Sequence, residues 1–188
     1  MLFRSVALDP DTGKLDWYYQ YLPGDDWDED HTHERVLLHT AMNPDAKEVK
    51  WVNPKARGGE RDVIVTVAEA GGIWTIDRAT GQFLWATPFP YDTPEFHISK
   101  IDVETGKTYL NWDLVFKKSG DRHVICAHNA KGYWPIAYHP GRNSIYVQYN
   151  DQCLDMTADN NAASGFGPRN GILRPSGRSE EHTSELQS

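Results

Sequence analysis

Two carboxylates two residues apart, Asp28 and Asp30, are where the chemistry of this sequence concentrates. They lie in Pro23-Gly-Asp-Asp-Trp-Asp-Glu-Asp30, with His31 and His33 just beyond. On an extended segment residues i and i+2 point the same way. Both carboxylates could then address one cation, while one of them takes a proton from a bound hydroxyl. Hard anionic oxygens suit a large, highly charged ion. With Asp25, Asp26 and Glu29 the same run also has the composition of an ordinary solvated acidic loop. The residue types leave both readings open, and His31 and His33 read as loop residues rather than ligands. Cys126 and Cys153 form no Cys-x-x-Cys motif. A pair of free buried thiols and a disulfide both remain possible on spacing alone.

The elements that must position these groups are short strands. Asp9-Pro-Asp-Thr-Gly13, Asp77-Arg-Ala-Thr-Gly81 and Asp102-Val-Glu-Thr-Gly106 share one pattern, each followed by a Trp: Trp17, Trp85 and Trp112. In such a turn Asp accepts backbone N–H groups, Gly takes a positive φ, and strands enter and leave. The Trp falls on the outgoing strand, where its ring can cover the neighbouring sheet. Recurrence of this unit marks a repeat architecture. Further strands are expected at Arg35–Thr40, Asp62–Val67, Ile73–Ile76, His123–His128 and Ser144–Tyr149. Val63-Ile-Val-Thr-Val67 is β-branched throughout, the pattern of a strand buried on both faces. No amphipathic helical window stands out. Asn43–Gly59, rich in Pro, Lys and Gly, reads as a surface loop. The expected fold is all-β: about two blades of four-stranded antiparallel sheet from a β-propeller.

Composition agrees and excludes some classes. Seven Trp, nine Tyr, 15 Gly and 11 Pro in 188 residues suit many short strands joined by tight turns. A net charge of −8 with no basic stripe argues against a nucleic-acid partner. No run of about 18 apolar residues is present, so no membrane-spanning helix is encoded. Residues 178–188 resemble the translation of a sequencing adapter and are set apart from the expected propeller unit of residues 1–177. They hold one Arg and three Glu, so leaving them out moves the charge from −8 to −6. Both ends of the chain are abrupt, as expected of an internal piece of a longer protein that would be inactive alone.

The Asp-x-x-Thr-Gly-x-x-x-Trp hairpins resemble the tryptophan-docking repeats of the PQQ-dependent quinoprotein alcohol dehydrogenases. In that family of methanol, ethanol and glucose dehydrogenases, eight blades surround pyrroloquinoline quinone (PQQ) and a metal ion. The likeness covers roughly residues 5–157. Trp17-Tyr-Tyr-Gln20 with Pro23-Gly-Asp-Asp-Trp-Asp28 is similar to a family run whose last Asp is the catalytic base, which implies that role for Asp28. Asp30, two positions on, resembles the second carboxylate of lanthanide-binding members, so the resemblance implies Asp28 and Asp30 as ligands of Ca²⁺ or a lanthanide. Gly72-Ile-Trp-Thr-Ile-Asp-Arg-Ala-Thr-Gly81 is a further match, and Cys126 through Trp134-Pro-Ile-Ala-Tyr138 to Cys153 another.

The last match implies that Trp134 contacts the cofactor, that Cys126 and Cys153 form a disulfide, and that the compartment is oxidising, namely the periplasm. Two cofactor positions depart from the family: Glu69 stands where relatives carry Arg or Lys, and Tyr133 where they carry Asn. A carboxylate at Glu69 would repel PQQ's own carboxylates. The implied activity is oxidation of an alcohol or sugar, with cytochrome c or a quinone as electron acceptor. The competing reading is a non-catalytic propeller scaffold of the outer-membrane assembly type, which uses similar repeats to bind proteins.

Overall fold

The computed structural model describes residues 3–31, 33–158, 170–175 and 186–187. Five antiparallel sheets are built from strands in chain order. β1 (Phe3–Leu8) and β2 (Leu15–Leu22) form a hairpin. β3 (Val36–Ala41), β4 (Trp51–Val52), β5 (Glu60–Val67), β6 (Ile73–Asp77) and β7 (Phe83–Thr87) make a five-stranded sheet of order β3-β5-β6-β7-β4. β8 (Ile98–Ile101) and β9 (Thr108–Leu110) form a second hairpin. β10 (Arg122–Cys126), β11 (Ala137–His139), β12 (Ser144–Tyr146), β13 (Gln152–Thr157), β14 (Asn170–Pro175) and β15 (Leu186–Gln187) complete two three-stranded sheets, β10-β13-β14 and β11-β12-β15. Among the described residues the only helical element is a 3-10 turn at Pro54–Ala56. Of the segment set apart as 178–188, only residues 186–187 fall within the described residues.

The three repeat turns have the expected chemistry. Asp9 Oδ1 accepts the N–H groups of Asp11 (3.0 Å) and Thr12 (2.7 Å) and the Thr12 hydroxyl (2.8 Å). Asp77 repeats the set with Ala79 (3.0 Å) and Thr80 (2.9 Å), and Asp102 with Glu104 (3.1 Å) and Thr105 (3.0 Å). The turns also dock on aromatic rings from neighbouring strands. The Trp17 indole donates to Arg78 O (3.2 Å), and its ring lies so near Gly81 that a Cβ there would sit 2.6 Å from Trp17 Cε3. At Gly106 a Cβ would sit 2.5 Å from Phe83 Cβ, and the Tyr19 hydroxyl donates to Gly106 O (2.9 Å). Trp112 departs from the expectation: it lies beyond the short strand β9 and is 65% exposed.

The five-stranded sheet is covered on both sides. One core gathers Tyr19, Tyr21, Trp27, Trp74, Phe83, Phe96, Ile125 and Met156. The other gathers Met42, Val49, Val63, Val65, Val67, Leu84 and Trp85. β5 contributes to both, as its β-branched run requires, because alternate side chains point to opposite faces. The expected surface loop at Asn43–Gly59 is exposed over much of its length, but it also carries the two-residue outer strand β4, paired to β7, and buries Val49, Trp51 and Ala56. Apolar residues inside a Pro- and Gly-rich segment drew it back against the core.

Candidate functional site

The described residues of the loop joining β2 to β3, 23–31 and 33–35, pack against the β5–β6 turn, the segment before β8 and the segment after β10. Asp25 shapes its start, with Oδ1 accepting from Trp27 N–H (3.0 Å) and Glu29 N–H (3.2 Å). Burial then alternates. Trp27, Glu29 and His31 are inside, Asp28 is exposed and Asp30 is half-buried. The Trp27 indole donates to Leu114 O (3.0 Å). Asp28 holds φ +63°, a left-handed conformation that side-chain-bearing residues seldom adopt and that clusters at functional sites.

Glu29 lies between the two candidate carboxylates and is 1% exposed. His128 Nδ1 is bonded to its Oε1, His97 Nε2 is 3.5 Å from the same oxygen, and Asn129 N–H donates to Oε2 (3.2 Å). Burial by itself would push the Glu29 pKa up; hydrogen bonds and charge from His128 and then His97 outweigh it and hold the pKa down at about 2. Burial works to lower the pKa of His128, but Glu29, then Glu69 and Asp28, raise it on balance.

Asp30 and Glu69 are joined by two hydrogen bonds: Asp30 N–H donates to the Glu69 carboxylate at Oε2 (3.0 Å), and Glu69 N–H donates to Asp30 O (3.2 Å). Glu69 O in turn accepts from Ala130 N–H (2.9 Å). Burial, followed by the nearby charges of Glu29 and Asp30, raises the Glu69 pKa to about 7 against the pull of the Asp30 amide. Burial and like charge thus favour the protonated form of Glu69, which softens the repulsion expected at this position.

His33 Nε2 lies 3.8 Å from Glu69 Oε1, and its ring is 5.4 Å from that of Tyr133, which is 76% exposed. Trp134 is half-buried, packs on Gly132 and donates to Gln148 O (2.9 Å). The fully buried Lys131 holds this segment, with Nζ donating to Glu34 Oε2 (3.1 Å), Gly132 O (3.2 Å) and Trp134 O (2.9 Å).

Asp30, Glu69 and Tyr133 are thus contiguous, linked through His33, and Asp28 adjoins them through His128. Trp134 is attached to the same segment through Lys131, and its indole bonds to Gln148 O, away from the acidic loop. His31 and His33 lie in the β2–β3 loop, as expected, and both are buried there. His31 stacks on Tyr21 with centroids 4.0 Å apart, both imidazoles are 5% exposed, and burial lowers the pKa of each. Sequence reasoning missed Glu29, His97, His128 and Lys131. For Glu29 a signal existed, since strict alternation around Asp28 and Asp30 puts it on the inner side. His128, 99 residues away, carried none. Cys126 and Cys153 are disulfide-bonded with Cα atoms 4.6 Å apart, as directly opposed residues of β10 and β13.

Stacked antiparallel sheets, with aromatic rings of one unit seated on the Gly turns of the next, are sectors of a tryptophan-docked β-propeller. No family model matches the chain. It is 37% identical over 172 residues to the quinohemoprotein alcohol dehydrogenase of Comamonas testosteroni, covering 84% of this chain and 20% of that one. It is 31% identical over 159 residues to the lanthanide-dependent methanol dehydrogenase of Methylorubrum extorquens, covering 79% and 24%. A europium-containing methanol dehydrogenase superposes with a TM-score of 0.69 at 25% identity, over 92% of this chain and 28% of that chain. These relatives and structural neighbours are quinoprotein alcohol and methanol dehydrogenases, and the chain spans about a fifth to a quarter of the length of the curated relatives it matches.

The residues present suit a hard cation and a polar cofactor in part. Asp28 and Asp30 offer carboxylate oxygens on the open side of the loop. Among the described residues no set of three or more His, Cys, Asp or Glu side chains is arranged to hold a metal. These two could therefore furnish only a share of a shell of about six to eight oxygens. Both ring nitrogens of His33 are buried without a hydrogen-bond partner, an orphaned polar group of the kind that a bound polar molecule or water satisfies.

Proposed function

We propose that this chain supplies the acid–base carboxylate, two metal ligands and an aromatic flank to a PQQ- and metal-dependent dehydrogenase that oxidises an alcohol or a sugar. The observation that carries the reading is Asp28, held at φ +63° on the open side of a loop whose flanking residues, Trp27 and Glu29, are both buried. When bound, PQQ beside Ca²⁺ or a lanthanide supplies an electrophilic carbon that accepts the hydride. Asp28 takes the hydroxyl proton as the C–H hydride departs, so the alcohol leaves as a carbonyl compound. Asp28 and Asp30 lend negative charge to the cation. Tyr133 and Trp134 border the cofactor, and Glu69, when protonated, removes the charge that would oppose an anionic quinone. The matched relatives are alcohol and methanol dehydrogenases, which favours alcohol over sugar. Cytochrome c or a quinone would receive the electrons. The disulfide supports an oxidising compartment, the periplasm.

The second reading, a non-catalytic scaffold, draws on Glu69 and on the lack of a three-ligand set among the described residues. One experiment separates them. In the full-length protein Asp28→Asn should lower PQQ-dependent dye reduction by roughly 10²–10⁴-fold, since an amide neither accepts the proton nor supplies charge. Undiminished turnover would sink the catalytic assignment.

A further inference from the structure

We propose that Glu29 is the positioning residue for Asp28, acting through a buried clamp that joins the acidic loop to His128, Asn129 and His97. This rests on the reading of Asp28 as proton acceptor. The residues on either side of Asp28 are fixed in every available way. Trp27 and Glu29 are each 1% exposed, and their N–H groups share one acceptor, Asp25 Oδ1. The Trp27 side chain is tied to Leu114 O, and the Glu29 side chain to His128 and Asn129. One residue further on, Asp30 N–H is bound by Glu69. With both neighbours anchored in this way, a change in the Asp28 backbone would have to be absorbed by the Trp27 or Glu29 contacts. A buried carboxylate with imidazole partners is weak evidence for stability, because desolvation offsets much of the attraction. What the arrangement does provide is a fixed direction for Asp28, the exposed carboxylate between buried Trp27 and buried Glu29.

The clamp makes predictions that a merely structural glutamate does not. In the full-length holoenzyme, Glu29→Ala should lower kcat per cofactor-loaded site roughly 10²-fold, as expected for a misplaced reacting group. KM for the alcohol should stay within about twofold, because substrate binding is not the function removed. Glu29→Gln keeps the shape and an acceptor for Asn129 N–H, and should recover much of the loss. Hydrogen exchange, which needs no turnover, should quicken at the amides of residues 25–31 and 126–130 in Glu29→Ala and stay near wild type in Glu29→Gln. Should Glu29→Ala fail to fold, the clamp is tested by Glu29→Gln alone: amide exchange as slow as wild type with kcat largely retained supports it. Unchanged kcat in Glu29→Ala, a Gln variant as impaired as the Ala variant, or unaltered exchange would each overturn it. An Asp28→Asn enzyme that turns over normally would defeat the underlying reading instead, and leaves the exchange result standing.

Discussion

The Asp-x-x-Thr-Gly turns and the Asp28 loop use the same material, acidic side chains facing backbone N–H groups, at different ranges. Asp9, Asp77 and Asp102 find their partners within three residues. Asp30 meets Glu69 across 39 residues, and Glu29 meets His128 and Asn129 across 99 and 100. A turn is complete once its own few residues are in place, so it can recur, whereas the acidic loop, beyond the local bonds of Asp25, is completed by other segments of the chain. Regularity therefore resides in the turns, and the unusual groups collect in the loop: a buried carboxylate, an orphaned imidazole and a left-handed Asp.

The comparison breaks first at glycine. Gly81 and Gly13 have similar φ, +71° and +67°, but only Gly81 lies against an aromatic ring. Gly81→Ala should cost roughly 2–4 kcal/mol, the left-handed penalty together with overpacking of Trp17. Gly13→Ala should cost only about 1–2 kcal/mol, since nothing lies within 4 Å of its Cβ. Denaturant midpoints measure both. Equal effects would mean that the turns are independent and that ring docking does not join the sheets.

A smaller effect concerns pH, where the two regions have opposite signs. Hydrogen bonds from Thr12 lower the pKa of Asp9, and those from Thr105 lower that of Asp102, so their contribution is present above the ordinary carboxylate range and fades as acid protonates them. Glu69 is raised to about 7. Its folded state prefers the proton, so stability is full below the ordinary value of about 4.3 and falls as the pH rises through 7. In the metal-free protein Glu69→Gln should have little effect near pH 5 and should raise Tm by a few degrees above pH 8. A gain that does not vary with pH would place Glu69 in ordinary solvent contact.

How much was legible follows the same division. Each turn could be read from five residues, because its hydrogen bonds are local. The two-faced burial of β5 could be read from Val63–Val67, because a run of five β-branched residues, with Thr66 alone polar, leaves no charged face. Glu69 was noticed as a departure, but its near-neutral pKa was not foreseeable, since it depends on Glu29 and Asp30 arriving beside it in a buried corner. His97 and His128 were invisible for the same reason: nothing local distinguishes them from any other His. Trp112 was misjudged because the turn before it is regular while strand β9 ends at Leu110, leaving the ring beyond the sheet.

The most direct test of the central claim is crystallographic. The full-length protein should be loaded with PQQ and a lanthanide, and an anomalous difference map collected at the metal's absorption edge. The account predicts a peak within about 2.3–2.6 Å of carboxylate oxygens from both Asp28 and Asp30, with Tyr133 and Trp134 bordering the quinone. A peak remote from both carboxylates, or Asp28 and Asp30 turned into solvent with the metal held by other residues, would contradict it.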